Sequence, residues 1–327
     1  LLAIAVIGAG RIGAIHARNI AAHQSAGLHG IADADPAAAA RLAQACGAPV
    51  ISIDAAFAAD AVLIASPTPT HADYIERAAA ARRAVFCEKP IDLSAARVRA
   101  CLEAVARAGV PLMVGFNRRF DPHFAALKRR LDAGEIGALE MLLIVSRDPA
   151  PPPLSYVRSS GGLFRDMMIH DLDMARSLLG EEPVEIHAAA AVLIDQAIGE
   201  AGDVDSAAVT LRTASGRLCQ ISNSRRAVYG YDQRIEAHGA KGLLRAGNVR
   251  PTTVELEDAR GAARDPVLPF FLERYADAYR AELDAFIAAV TSGTRPEPGG
   301  EAGLRALLLA DAAEHSARTG TVVRLAP

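Results

Sequence analysis

Residues 3–13 read "AIAVIGAGRIG". The run is short, apolar on both faces and closed by glycine, as a fully buried strand of a parallel sheet is. Gly8, Gly10 and Gly13 follow it in the spacing GxGxxG, and a helical pattern begins at once. Each glycine answers a separate need: a tight turn, close approach of the backbone to a pyrophosphate, and close packing of helix on strand. With Arg11 and Ile12 between them, they form a candidate dinucleotide-binding loop. The motif gains weight from Asp33, which closes the next strand and stands where a carboxylate accepts hydrogen bonds from both ribose hydroxyls of an adenosine. Asp33 repels a 2′-phosphate and Ala34 offers nothing to bind one, so NAD is favoured over NADP unless Arg11 or another cation compensates.

Outward from this loop, "GLHGIADA", "PVISI", "AVLIAS", "AVFCEK" and "PLMVGF" read as further buried strands. Helix signals lie between them: Asp35-Pro36 supplies a cap and a first-turn proline for a helix through Leu42, and Ser94 caps another toward Gly109. Strand and helix alternating on this scale predict a parallel sheet covered on both faces. "SPTPTHADY" places Ser66, Thr68 and His71 at the carboxyl edge of that sheet, where open sheets bind ligands. His71 reads equally as a first-turn residue of a surface helix.

After about residue 120 the pattern changes. One helix, "PHFAALKRRLDAG" with Gly134 as its C-cap, precedes a run of strand candidates: "LEMLLIVSR", "VEIHAAAAVLI", "DSAAVTLRT", "RLCQISNSR", "DQRIEAHG" and "TTVELE". Turns such as "TASGR" and "HGAKG" separate several of them, which predicts a large, mostly antiparallel open sheet. The proline-rich segment 148–156 reads as a surface loop. Two helices, from about Glu273 to Val290 and from Gly300 to Arg318, and a short strand "TVVRL" close the chain.

The 327 residues suffice for two domains, each with its own core. A net charge of −3 gives no electrostatic reason to seek nucleic acid or an anionic membrane. Cys46, Cys87, Cys101 and Cys219 lack CxxC pairing, which fits reduced thiols. The first residues have neither a basic leader nor an apolar run long enough to span a bilayer, so the expected location is the cytoplasm. No metal is expected: HExxH is absent, and the pair His170–Asp171 lacks a further ligand at usable spacing.

Residues 161–180, "GGLFRDMMIHDLDMARSLLG", sort their polar groups. At 100° per residue Asp166, His170, Asp173 and Ser177 share one stripe, with Met168, Leu172, Ala175 and Leu179 opposite. Taken alone, that is an amphipathic helix with its polar edge in water. Asp171 falls inside the apolar arc and needs a backbone donor or an arginine; Asp173 has Arg176 three residues on, an ion pair by spacing, with a substrate hydroxyl as the other use. A second unusual feature is Glu88-Lys89-Pro90 at the carboxyl end of a buried strand, which aims a lysine toward the nicotinamide position.

The fingerprint, "EKP", "GFNRRFD" and Asp-x-x-x-His, in this order, resemble the Gfo/Idh/MocA oxidoreductases across essentially the whole chain. "FCEKPIDL", "MVGFNRRFDPHF" and "SNSRRAVYGYDQRIEAHG" bring the wording nearest to the bacterial inositol 2-dehydrogenase group. The resemblance implies an α/β protein with a Rossmann-type parallel-sheet domain over residues 1–120. It implies a substrate-binding and oligomerising α+β domain over 121–327, whose final helices return to the first domain. NAD is the implied cofactor and a small polyol the implied partner, with the second-domain sheet joining copies into dimers or tetramers.

The resemblance also implies a catalytic group of Lys89, Asp166 and His170, and the spacing agrees, since a carboxylate one turn from an imidazole can orient it. In this reading neutral His170 takes a proton from a ring hydroxyl while Lys89 steadies the developing alkoxide. Glu88 and Lys89 also border the cofactor. Asn117 and Arg118 bind substrate by resemblance, or form a hinge between domains. Tyr229 and Tyr231 present a hydroxyl or an aromatic wall to substrate, with one of them serving sheet packing instead. The implied activity is oxidation of a cyclitol hydroxyl, first of all myo-inositol to its 2-keto product. A scyllo-inositol or sugar dehydrogenase, and a non-catalytic NAD-binding sensor, are the alternatives.

Overall fold

Apolar runs closed by glycine, serine or glutamate become the parallel strands of the first unit. The structure is a computed structural model that describes residues 1–325. One unit comprises Leu1–Phe120 and Ala278–Leu307; the other comprises Asp121–Asp277 and the chain from Leu308.

In the first unit β1 (Leu2–Ile7), α1 (Arg11–Ala21), β2 (Ala26–Ala32), α2 (Pro36–Cys46), α3 (Ile53–Ala56), β3 (Ala61–Ile64), α4 (His71–Ala80), β4 (Ala84–Glu88), α5 (Ala95–Ala108) and β5 (Leu112–Gly115) follow one another. The five strands lie in the order β2-β1-β3-β4-β5, all parallel. Every residue of β3, β4 and β5 is buried, as helical cover on both faces requires. Asp35 caps α2 by accepting from the Ala37 amide, and Ser94 caps α5 by accepting from the Arg97 amide. "PVISI" is not a strand. It makes one bridge, Val50 to Ile31, because Ser52 turns away to cap α3 through the Ala55 amide.

The second unit holds α6 (Pro122–Asp132), β6 (Leu139–Arg147), α7 (Leu154–Ser160), α8 (Ile169–Leu179), β7 (Pro183–Ala191), α9 (Gln196–Glu200), β8 (Ser206–Thr213), β9 (Leu218–Ser224), β10 (Asp232–Gly239), β11 (Gly242–Ala246), β12 (Glu255–Asp258), β13 (Gly261–Arg264) and α10 (Phe271–Arg274). After these come α11 (Ala276–Ser292), α12 (Gly300–Thr319) and β14 (Val323–Arg324). Most of α11 belongs to the first unit, where Leu283, Phe286 and Ile287 join Ile4, Val6 and Phe86 in one core. The rings of Phe86 and Phe286 meet edge to face at 5.6 Å.

Seven strands in the order β11-β10-β6-β9-β8-β7-β14 form the large sheet, antiparallel except between β6 and β9. α8 is tied to one face of it: Ser146 of β6 and Asn223 of β9 both donate to Asp171. The other face carries exposed Met141, Leu143 and Leu243, with Leu243, His238 and Met141 in one cross-strand row. Several expectations need correction here. "TTVELE" lies in a separate exposed hairpin of β12 and β13 rather than in the sheet. The proline-rich loop runs into the helix α7. Ala133 caps α6, and Gly134, at φ +71°, follows it. Among the described residues no helix is long and apolar enough to cross a membrane.

Candidate active site

The glycine loop after β1 is built as its spacing predicts. A Cβ on Gly8, whose φ is +110°, would stand 2.5 Å from the backbone of Ala65, and one on Gly13 would stand 1.8 Å from Gly8 O. Both positions therefore exclude a side chain. Gly10 differs: among the described residues no heavy atom lies within 4 Å of a Cβ built there. That open space, at the head of a helix that no described side chain caps, fits the approach of a pyrophosphate to backbone amides. Asp33 follows the end of β2. Its carboxylate accepts from the Ala9 amide at 2.5 Å and the Asp35 amide at 2.7 Å, which pins the loop to the end of β2. Two of its oxygen lone pairs remain for ribose hydroxyls. Arg11 is exposed and Ile12 half-buried at the start of α1.

Beyond β3, Ser66 and Thr70 share a hydroxyl hydrogen bond of 2.7 Å, and Thr68 opens the single 3₁₀ turn that leads into α4. His71 is the first residue of α4, as one reading had it, but it does not face water: it is 2 % exposed. Its Nδ1 lies 2.7 Å from Pro90 O and its Nε2 2.7 Å from Ser66 O, so the ring sits between the segments after β4 and after β3 and, when neutral, donates to one of the two carbonyls. Burial pushes the imidazole below its usual basicity, and the two carbonyls act in the opposite direction. Glu88 ends β4 with Lys89 directly after it; Glu88 is buried and Lys89 half-buried. Cys87 and Cys101 are buried thiols, and burial pushes Cys101 up to about 12, which leaves neither a nucleophile at neutral pH.

In the second unit the helix wheel needs one revision. Phe164–Met168 is a π-helical turn that runs into α8, so the 100° period fails at Asp166. Asp166 accepts from the Tyr156 hydroxyl at 2.9 Å, a partner on α7 that the loop reading of 148–156 hid. Arg165 of the same turn donates to Asp311 and pairs with Glu314, both at 2.7 Å. His170 follows in the first turn of α8, half-buried, with Nδ1 wholly enclosed. The polar stripe is only partly in water: Asp173 is buried, while Asp166, His170 and Ser177 are half-buried, and Asp171 of the apolar arc is buried as well. Asp173 lies 3.9 Å from Arg176, the expected pair, while Asp171 receives Ser146 Oγ and Asn223 Nδ2 where a backbone or arginine donor was expected.

Asn117 and Arg118 are buried in the 3₁₀ turn that ends the first stretch of unit one. Tyr229 is 48 % exposed, and its hydroxyl donates to Asp232 at 2.6 Å and receives Arg147 at 3.2 Å. Tyr231 is the packing residue of the two: buried, with its ring 5.9 Å from those of Phe270 and Tyr275.

Residues 2–116 match the model of an oxidoreductase family with an NAD-binding Rossmann fold, and residues 124–245 match that of the GFO/IDH/MocA C-terminal domain. The chain is 57 % identical over 314 residues to the inositol 2-dehydrogenase of Rhizobium meliloti (strain 1021), covering 95 % of each. The crystal structure of a myo-inositol dehydrogenase from Corynebacterium glutamicum ATCC 13032 superimposes with a TM-score of 0.96 at 50 % identity, over 100 % of this chain and 99 % of that one. A scyllo-inositol dehydrogenase from Lactobacillus casei, solved with bound NAD(H) and scyllo-inositol, gives 0.92 at 29 % identity over 99 % and 98 %. On these grounds, and with a glycine loop and ribose carboxylate that fit the cofactor, the chain belongs to the Gfo/Idh/MocA family of NAD-binding oxidoreductases.

Proposed function

We propose that this protein oxidises a ring hydroxyl of a cyclitol with NAD, and that its substrate is myo-inositol, converted to the 2-keto product scyllo-inosose. The observation that carries the reading is the near full-length likeness to inositol dehydrogenases, in a chain that holds Lys89, Asp166 and His170 at the ends of ordered elements. Gly8, Gly10, Arg11, Ile12, Gly13 and Asp33 would hold the dinucleotide, with Ser66, Thr68, His71, Glu88 and Lys89 as the further cofactor-binding residues at the carboxyl edge of the sheet. When bound, NAD supplies the hydride acceptor. With Nδ1 enclosed, His170 takes the hydroxyl proton at Nε2. Asp166, itself held by Tyr156, favours the protonated form of the imidazole through its negative charge. The Lys89 ammonium steadies the alkoxide as the proton leaves. Asn117 and Arg118 serve the other hydroxyls as donors and acceptors, and Tyr229, whose hydroxyl proton goes to Asp232, offers an acceptor or an aromatic face; Tyr231 packs against Phe270 and Tyr275.

Exposed Met141, Leu143 and Leu243 on the uncovered sheet face support assembly into dimers or tetramers, and four free thiols support a cytoplasmic setting. A preference for scyllo-inositol is the second reading, favoured by the likeness to the Lactobacillus casei enzyme. Following NADH absorbance with myo-inositol, scyllo-inositol, other inositols and glucose decides between them. Fastest turnover with myo-inositol is expected. Reduction of NAD by none of these polyols would leave a cofactor-binding sensor and overturn the enzyme reading.

A further inference from the structure

Behind Lys89 the first unit buries three groups able to hold or release a proton: His16 of α1, Glu88 of β4 and Glu282 of α11. His16 and Glu282 have no exposed surface, and one nitrogen or oxygen from each of the three lies within 4.8 Å of the others. His16 Nε2 is 2.7 Å from Glu88 Oε1 and 3.9 Å from Glu282 Oε1. One ring nitrogen carries one proton, and the shorter contact takes it. Both oxygens of Glu282 are then buried with no hydrogen-bond partner among the described residues. The surroundings are apolar: the rings of Phe86 and Tyr279 stand edge-on to His16 at 5.1 and 5.6 Å. Among the described residues the titratable groups beside Glu282 are His16 from α1 and Glu88 from β4, and Tyr279 of its own helix stands against His16. An ionised Glu282 would be a second buried anion beside Glu88, without a donor of its own, and neutralisation is the ordinary escape from that arrangement.

We propose that Glu282 is a neutral carboxylic acid in the folded protein, that this neutrality spares Glu88 a like-charged neighbour in the core, and that the strand end bearing Lys89 keeps its position for that reason. The final clause rests on the dehydrogenase reading; the first two do not. With the proton in place a single anion stands behind Lys89. Without it two carboxylates repel each other across the core, and Glu88 is the one at the end of its strand. Burial, then the charge of Glu88, pushes Glu282 well above its usual 4.5, in agreement with the geometry.

The sign of the pH effect follows. A carboxyl raised on folding stabilises fully below its unfolded value near 4.5 and loses that contribution as pH climbs toward its folded value. Glu282→Gln cannot ionise, and Glu282→Met, of similar length, provides a second variant. Both should melt above the wild type at alkaline pH, by a gap that widens roughly 2–4 °C per pH unit from about pH 5. Infrared difference spectra at pH 7 should give a protonated-carboxyl band in the wild type that both variants lack. If the chain oxidises an inositol, kcat/KM of Glu282→Gln should persist to higher pH than that of the wild type, a change in profile that packing alone does not produce. A gap constant with pH, or an ionised Glu282 in the spectrum, would overturn the proposal. So would stoichiometric zinc or manganese in the purified wild type that is lost in Glu282→Gln, since the three groups would then hold a cation. Absence of turnover with every polyol would sink the dehydrogenase reading, while melting and infrared would still decide the state of Glu282.

Discussion

Asp33 holds the amides of Ala9 and Asp35 with its carboxylate, and in the proposed cofactor site that charge would repel a 2′-phosphate. Asp33→Ser should therefore loosen the loop and relax discrimination against NADP. Removing a repulsion of about 1–2 kcal/mol corresponds to a factor of roughly 5–30 in the ratio of kcat/KM for the two cofactors. An unchanged ratio would assign cofactor choice to another residue. For His170→Ala the expected loss in kcat is about 10²–10⁴-fold, with NAD binding by equilibrium dialysis retained. A rate near that of the wild type removes His170 from the role of base. The glycines and Asp33 were legible in sequence because backbone sterics and charge leave few substitutes at those positions. Tyr156 was not: its link to Asp166 depends on a helix that starts inside a proline-rich stretch, where local signals favour a loop.

Elements read well where one period runs uninterrupted and poorly where two signals compete. The helices α2 and α5 declared themselves through caps, and the strands of the second unit through alternation. "PVISI" failed because a serine cap outcompeted strand pairing, and β11 was missed because "GLLRA" is too short to alternate visibly. In 161–180 the amphipathic pattern was genuine but its phase was not, since the π-helical turn inserts an offset before α8. Asp171 shows what fixes that helix on the sheet. It is fully buried and holds Ser146 and Asn223, and Ser146 lies 3.1 Å from Gln233, which also receives Tyr275. Asp171→Ala leaves those donors without their acceptor and should cost about 2–4 kcal/mol in urea unfolding. A loss near zero would mean that packing alone seats α8.

At the scale of the molecule, the two-part composition was readable from the change of grammar near residue 120. How the chain shares its last helices was less so, because nothing local marks the point where a helix changes allegiance. Phe120 leaves the first unit and Ala278 re-enters it. A fragment of residues 1–120 would hold every strand of the parallel sheet but lack Leu283, Phe286 and Ile287 from its core. At about 1.5–3 kcal/mol for each buried side chain, that loss is of the same order as the whole stability of a typical domain. Circular dichroism of this fragment should therefore find no cooperative melt; a sharp one would mean that the sheet stands without α11. The discontinuity has a further consequence during synthesis. A nascent chain that has finished β5 must wait about 160 residues, roughly 10–30 s on the ribosome, before the segment covering its apolar face emerges. For that interval the first half exposes the apolar surface that Leu283, Phe286 and Ile287 will later cover.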